Sequence, residues 1–86
     1  MADSPSNFVY HSDTDTISWD AVQDAEEYKI LSCPNLPAQT LVEIYDGTDT
    51  SCAFNYPPGS YEVTGGSKMK DGWRPHGNIE IIMVTP

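Results

Sequence analysis

At 86 residues the chain holds a single domain, and a chain this short buries only about two-thirds of its unfolded surface, so each inward residue counts. Thirteen acids against four lysines and arginines give a formal charge of −9. That balance argues against nucleic-acid binding and against docking on an anionic membrane, and no apolar run approaches the ~18 residues of a membrane span.

Residues 1–6 read as a flexible polar tail, which leaves residues 7–86 as the domain. Asn7-Phe8-Val9-Tyr10-His11 alternates weakly, and Pro5 just before it suits an edge strand. Thr14 to Trp19 places Ile17 and Trp19 on one face and Thr16 and Ser18 on the other, the period of a half-buried strand. Asp20 to Glu27 lacks a sustained helical apolar pattern and reads as an acidic loop. Tyr28-Lys29-Ile30-Leu31-Ser32 follows as a strand with Tyr28 and Ile30 inward, and Pro34 and Pro37 bracket the next loop.

Leu41 to Tyr45 is strand-like. Asp46-Gly47 is a hairpin signal, from which Ser51-Cys52-Ala53-Phe54 would return. Pro57-Pro58-Gly59 makes a rigid corner. Tyr61 and Val63 then share a face that Gly65 and Ser67 continue. Lys68 to Gly77 reads as a long loop, and Asn78 to Val84 as the last strand, with Ile79, Ile81 and Met83 alternating with Glu80 and Ile82. Seven short strands with turn chemistry between them indicate an all-β, seven-stranded antiparallel β-sandwich.

Cys33 and Cys52 admit three readings: two free thiols, a disulfide, or ligands of a metal. Free thiols are the first choice, because the start Met-Ala-Asp-Ser-Pro-Ser-Asn has neither the basic nor the apolar region of an export signal. On that ground the chain is expected to be made in the cytosol and to stay there or leave inside a particle. A domain cut from a larger extracellular protein would look the same.

Three segments together resemble a fibronectin type III domain. Ile17-Ser18-Trp19 followed by Ala25-Glu26-Glu27-Tyr28-Lys29-Ile30 is similar to that family's second and third strands. Tyr56-Pro57-Pro58-Gly59-Ser60-Tyr61-Glu62-Val63 resembles the corner before its sixth strand, with Tyr61 as the corner tyrosine. Asp71-Gly72-Trp73-Arg74-Pro75, then Asn78, resembles the approach to its last strand. Gly65, Ser67 and Arg74 depart from the pattern. The resemblance implies a sandwich scaffold with no shared catalytic activity, so function has to be sought on its surface.

The first candidate surface is Lys68, Lys70, Trp73, Arg74 and His76, which hold three of the four bases; the resemblance puts them at the same end as Asp20–Glu27. Exposed Trp and Arg are frequent interface anchors. The competing reading packs Trp73 on the sheet edge and uses the bases to neutralise Asp24, Glu26 and Glu27. The second candidate is acidity: residues 1–61 carry ten acids and only Lys29, a balance that would steer docking onto a basic partner. Asp13-Thr14-Asp15 and Asp46 to Asp49 read as turn-forming acids, not as a calcium loop. No catalytic motif and no cofactor site emerges, and His11 and His76 are far apart in sequence.

The expectation is a non-enzymatic protein–protein interaction module that docks on a larger assembly. The size, acidity and start resemble small phage virion proteins, such as capsid decoration or tail components, where a lattice would array copies as a homo-oligomer. The alternative is a carbohydrate- or cell-surface-binding module from a multidomain extracellular protein, using Tyr10, Tyr45 and Trp73 as a sugar platform.

Overall fold

The computed structural model describes residues 4–32 and 41–85. Eight strands follow in order: β1 (Val9–His11), β2 (Thr16–Ser18), β3 (Glu27–Ser32), β4 (Val42–Gly47), β5 (Ser51–Ala53), β6 (Gly59–Met69), β7 (Gly72–Trp73) and β8 (Glu80–Val84). They form two antiparallel sheets. One has the order β1-β2-β5; the other has the order β4-β3-β6, with β7 and β8 both paired to the free side of β6.

Alternation builds the core. Ile17, Trp19, Phe54 and Phe8 from the first sheet and its margins meet Tyr28, Ile30, Tyr61, Val63, Ile82 and Val84 from the second. Trp19 sits edge-on to Tyr28, with centroids 6.0 Å apart. Phe54 sits edge-on to Tyr61 at 5.4 Å. Both are geometries that aromatic quadrupoles favour. The corner tyrosine is in place: the Tyr61 hydroxyl donates to the Pro57 carbonyl at 2.6 Å. Tyr28 ties the acidic loop down in a similar way, its hydroxyl accepting the Val22 N–H at 2.9 Å.

Four details differ from the sequence reading. First, Asp46-Gly47 is not a hairpin. Both residues lie inside β4, opposite Lys29 and Tyr28, and the chain then crosses to the other sheet, where β5 pairs with β2. Pairing with β3 outweighs the local turn preference, and the Tyr45 hydroxyl steadies the crossing by accepting the Asp49 N–H at 3.0 Å.

Second, the stretch from Lys68 to Gly77 is only partly loop. β6 runs on to Met69, a turn at Lys70-Asp71 reverses the chain, and β7 pairs back with Lys68 opposite Trp73. Third, the last strand starts at Glu80, two residues later than expected, and β7 precedes it as a separate strand. Between β7 and β8 the chain stays bonded to β6 through Arg74 N–H to Ser67 O at 2.9 Å and Gly77 N–H to Gly65 O at 3.0 Å. β7, inside the stretch read as loop, is why eight strands appear instead of seven.

Fourth, the packed body reaches back past residue 7: Pro5 is fully buried, and the Ser6 carbonyl accepts the Asp20 N–H at 3.0 Å. Residues 1–3, Cys33 and the Pro34–Pro37 loop lie outside the described residues.

Gly65, one of the departures from the resembled pattern, and its neighbour Gly66 are explained by close approach. A β-carbon on Gly65 would stand 2.8 Å from Ile30 Cδ1 and 3.0 Å from the Lys29 carbonyl. One on Gly66 would stand 3.1 Å from His76 Cδ2, so the bare backbone lets the segment after β7 lie down on β6.

Candidate functional site

The acidic loop and the β6–β7 turn do meet at one end of the sandwich, joined by the Glu26 N–H to the Lys68 carbonyl at 2.7 Å. Between them lies an open cleft of about 490 Å³, lined by Asp24 and Glu26 on one side and by Met69, Lys70, Asp71 and Arg74 on the other. Asp24 holds a left-handed backbone at φ 66°, a conformation that a short polar side chain tolerates.

The predicted residues divide into three places. Lys70 and Arg74 line the cleft. Lys68 and Trp73 are cross-strand partners on the sheet above it. His76 lies over Gly66, further along β6.

The charges are partly compensated, though not by the expected partners. Arg74 pairs with Asp71 at 3.2 Å. Lys29, which no local signal places here, lies 4.7 Å from the Trp73 ring centroid and pairs with Glu43 at 3.6 Å. Trp73, on the edge strand β7, has the Lys29 ammonium over its ring and is 41% exposed. Glu27, opposite Lys68, forms a hydrogen bond with Asp46 that raises its carboxyl above the ordinary value, against the opposing pull of Lys68 and Lys29. Lys70 has no ion pair among the described residues.

Two arrangements escaped the sequence reading. On the outer face of the first sheet, His11 Nε2 lies 2.7 Å from Ser18 Oγ. The contact arises because β1 and β2 pair with His11 opposite Thr16. No carboxylate bonds the other ring nitrogen among the described residues, and Ser18 sits within a strand whose amides belong to the ladder. The pair therefore lacks the orienting group and the oxyanion donors of a nucleophile site.

The other is β8. Ile82 and Val84 are buried, while Ile79, Ile81 and Met83 are 51%, 63% and 62% exposed. The strand is apolar on both faces, so its alternation alone does not say which side faces the core.

Among the described residues Cys52 is a free, half-buried thiol whose pKa burial pushes up to about 11. Among the described residues no group of three or more His, Cys, Asp or Glu gathers to hold a metal, and no helix is long and apolar enough to cross a membrane.

Among solved structures the chain is similar to a Fn3-like protein from Clostridium thermocellum. The TM-score is 0.69 at 17% identity, over 96% of this chain and 92% of that one. At that identity the likeness concerns the fold, which is a fibronectin type III-like β-sandwich. No family model matches the chain, and neither does any curated protein.

Proposed function

We propose that this domain is a non-enzymatic protein-interaction module that recognises its partner through the end of the sandwich where the acidic loop meets the β6–β7 turn. The observation behind the reading is the open cleft with the exposed Trp73 beside it and, on its wall, Lys70, which has no ion pair among the described residues. An aromatic anchor next to charged rims suits protein recognition. The charge of −9 favours a partner with a basic surface and speeds encounter with it. A repeated basic lattice, such as a phage capsid or tail, is an assembly of that kind, and it would place the protein in a virion.

Photocrosslinking from position 70 in the producing cells tests this reading. Transfer to one defined protein, lost in Trp73→Ala, supports it. Transfer no greater than from the exposed control Asn55 refutes it.

A second reading is a glycan-binding module, favoured by the exposed Trp73 ring. Quenching of tryptophan emission across a glycan panel would select it, and a flat response would remove it.

A further inference from the structure

We propose that the outward row Ile79, Ile81 and Met83 is a second docking surface, for a partner protein that presents an apolar patch ringed by lysine or arginine. This rests on the reading of the chain as an interaction module, but not on the loop end that reading uses.

The row is not needed by the core. Ile82 and Val84, at 4% and 5% exposure, already supply what β8 contributes inward. Three large apolar side chains in successive outward positions are an unusual concentration of exposed apolar surface for so small a domain, and such patches mark interaction sites. Their immediate neighbours are short or acidic: Ser60 stands opposite Met83, and Glu62 opposite Ile81.

The charge around the row has one sign. Glu62, opposite Ile81, shares the outward face of the row, whereas Glu80 stands opposite the buried Val63 and turns to the other side of the strand, where its carboxylate accepts the Asn7 and Phe8 N–H groups at 2.9 and 3.0 Å. The Asp20 carboxylate accepts from the Asn7 amide at 2.6 Å. Every lysine and arginine lies elsewhere. Lys68 is five residues along β6 from Val63, the last residue paired with β8, which is roughly 17 Å. Lys70 and Arg74 line the cleft beyond it. Lys29 is on β3, opposite Gly66. An apolar strip whose charged neighbour across the β6–β8 pair is the Glu62 carboxylate, on a chain of charge −9, is complementary to a basic rim. A second copy of this chain, with the same acidic border, would meet like charge.

The test uses the whole chain and, as probe, a short synthetic peptide alternating leucine and lysine, followed by amide NMR and fluorescence anisotropy. The expected result is shifts concentrated at Ser60–Glu62 and Ile79–Val84, with affinity that falls as salt rises. Ile81→Ser with Met83→Ser should weaken binding by about tenfold or more. Val42→Ser, on exposed apolar surface in β4, and Trp73→Ala with Lys70→Ala should leave it unchanged.

Should the double variant lose its dispersed amide spectrum, Ile79→Ser, outside the β8 ladder, carries the same test. Shifts spread over the acidic surface, equal binding by the β8 variants, or no binding at millimolar peptide would overturn the proposal. So would a concentration-dependent dimer abolished by the same variants, which would put a second copy on the face. Binding lost only in the Trp73 and Lys70 variants would sink this inference and leave the loop-end reading standing.

Discussion

Replacing Tyr61 with Phe removes one oxygen and nothing else from the core. The ring is 5% exposed and keeps its edge-on contact with Phe54 at 5.4 Å and its tilted contact with Tyr56 at 5.8 Å. What is lost is the 2.6 Å bond to the Pro57 carbonyl. A net hydrogen bond is worth about 0.5–1.5 kcal/mol, and a fully buried orphaned acceptor costs up to about 3. Pro57 itself is exposed, so water can reach the freed carbonyl, and the expected loss is about 1 kcal/mol. With a urea slope of about 1 kcal/mol per molar for a domain this small, the midpoint should fall by about 1 M at an unchanged slope. Tyr56→Phe is the internal control: that hydroxyl has no partner among the described residues, so its midpoint should move by less than half as much. Equal midpoints for wild type and Tyr61→Phe would refute the corner assignment.

The other predictions are smaller in scope. Cys52 should resist alkylation in the native protein at pH 8, where only about one thiol in a thousand is ionised at a pKa of about 11, and should react at once after denaturation; mass spectrometry of the labelled peptide reads this. Because folding raises that pKa, the folded state holds the proton more tightly. Stability should therefore be flat below the ordinary thiol value of 9.0 and decline as pH rises toward about 11, and Cys52→Ala should remove that part of the decline in denaturant melts. Gly65→Ala should destabilise by about 1–3 kcal/mol, since the new methyl meets the Lys29 carbonyl as well as Ile30. Trp73→Phe should move the mean tryptophan emission to the blue and reduce acrylamide quenching, because the remaining Trp19 is buried; unchanged quenching would mean that Trp73 is covered.

The scaffold was legible because its signals are local. Trp19, Tyr28 and Ile30 declare their face by alternation, and the Pro57–Tyr61 spacing sets up a bond between residues four apart. What failed to show was set by pairing between distant segments. Asp46-Gly47 carries a turn preference that β3 overrides by pairing through it. Lys68 and Trp73 looked like loop residues because nothing in their neighbourhood announces that β6 continues to Met69. Lys29 could not be joined to Trp73 without knowing that β6 separates their strands. Ile-Ile-Met-Val in β8 is apolar at every position, so only the register Tyr61 opposite Ile82 decides that Ile81 and Met83 face outward.

The most direct test of the account is site-specific photocrosslinking in the cells that make the protein, with the crosslinker placed in turn at Lys70, Ile81 and the control position Asn55. The account predicts a defined adduct with a protein partner from Lys70, a defined adduct from Ile81, and background from Asn55. Background yields at all three positions would contradict the reading of this domain as an interaction module.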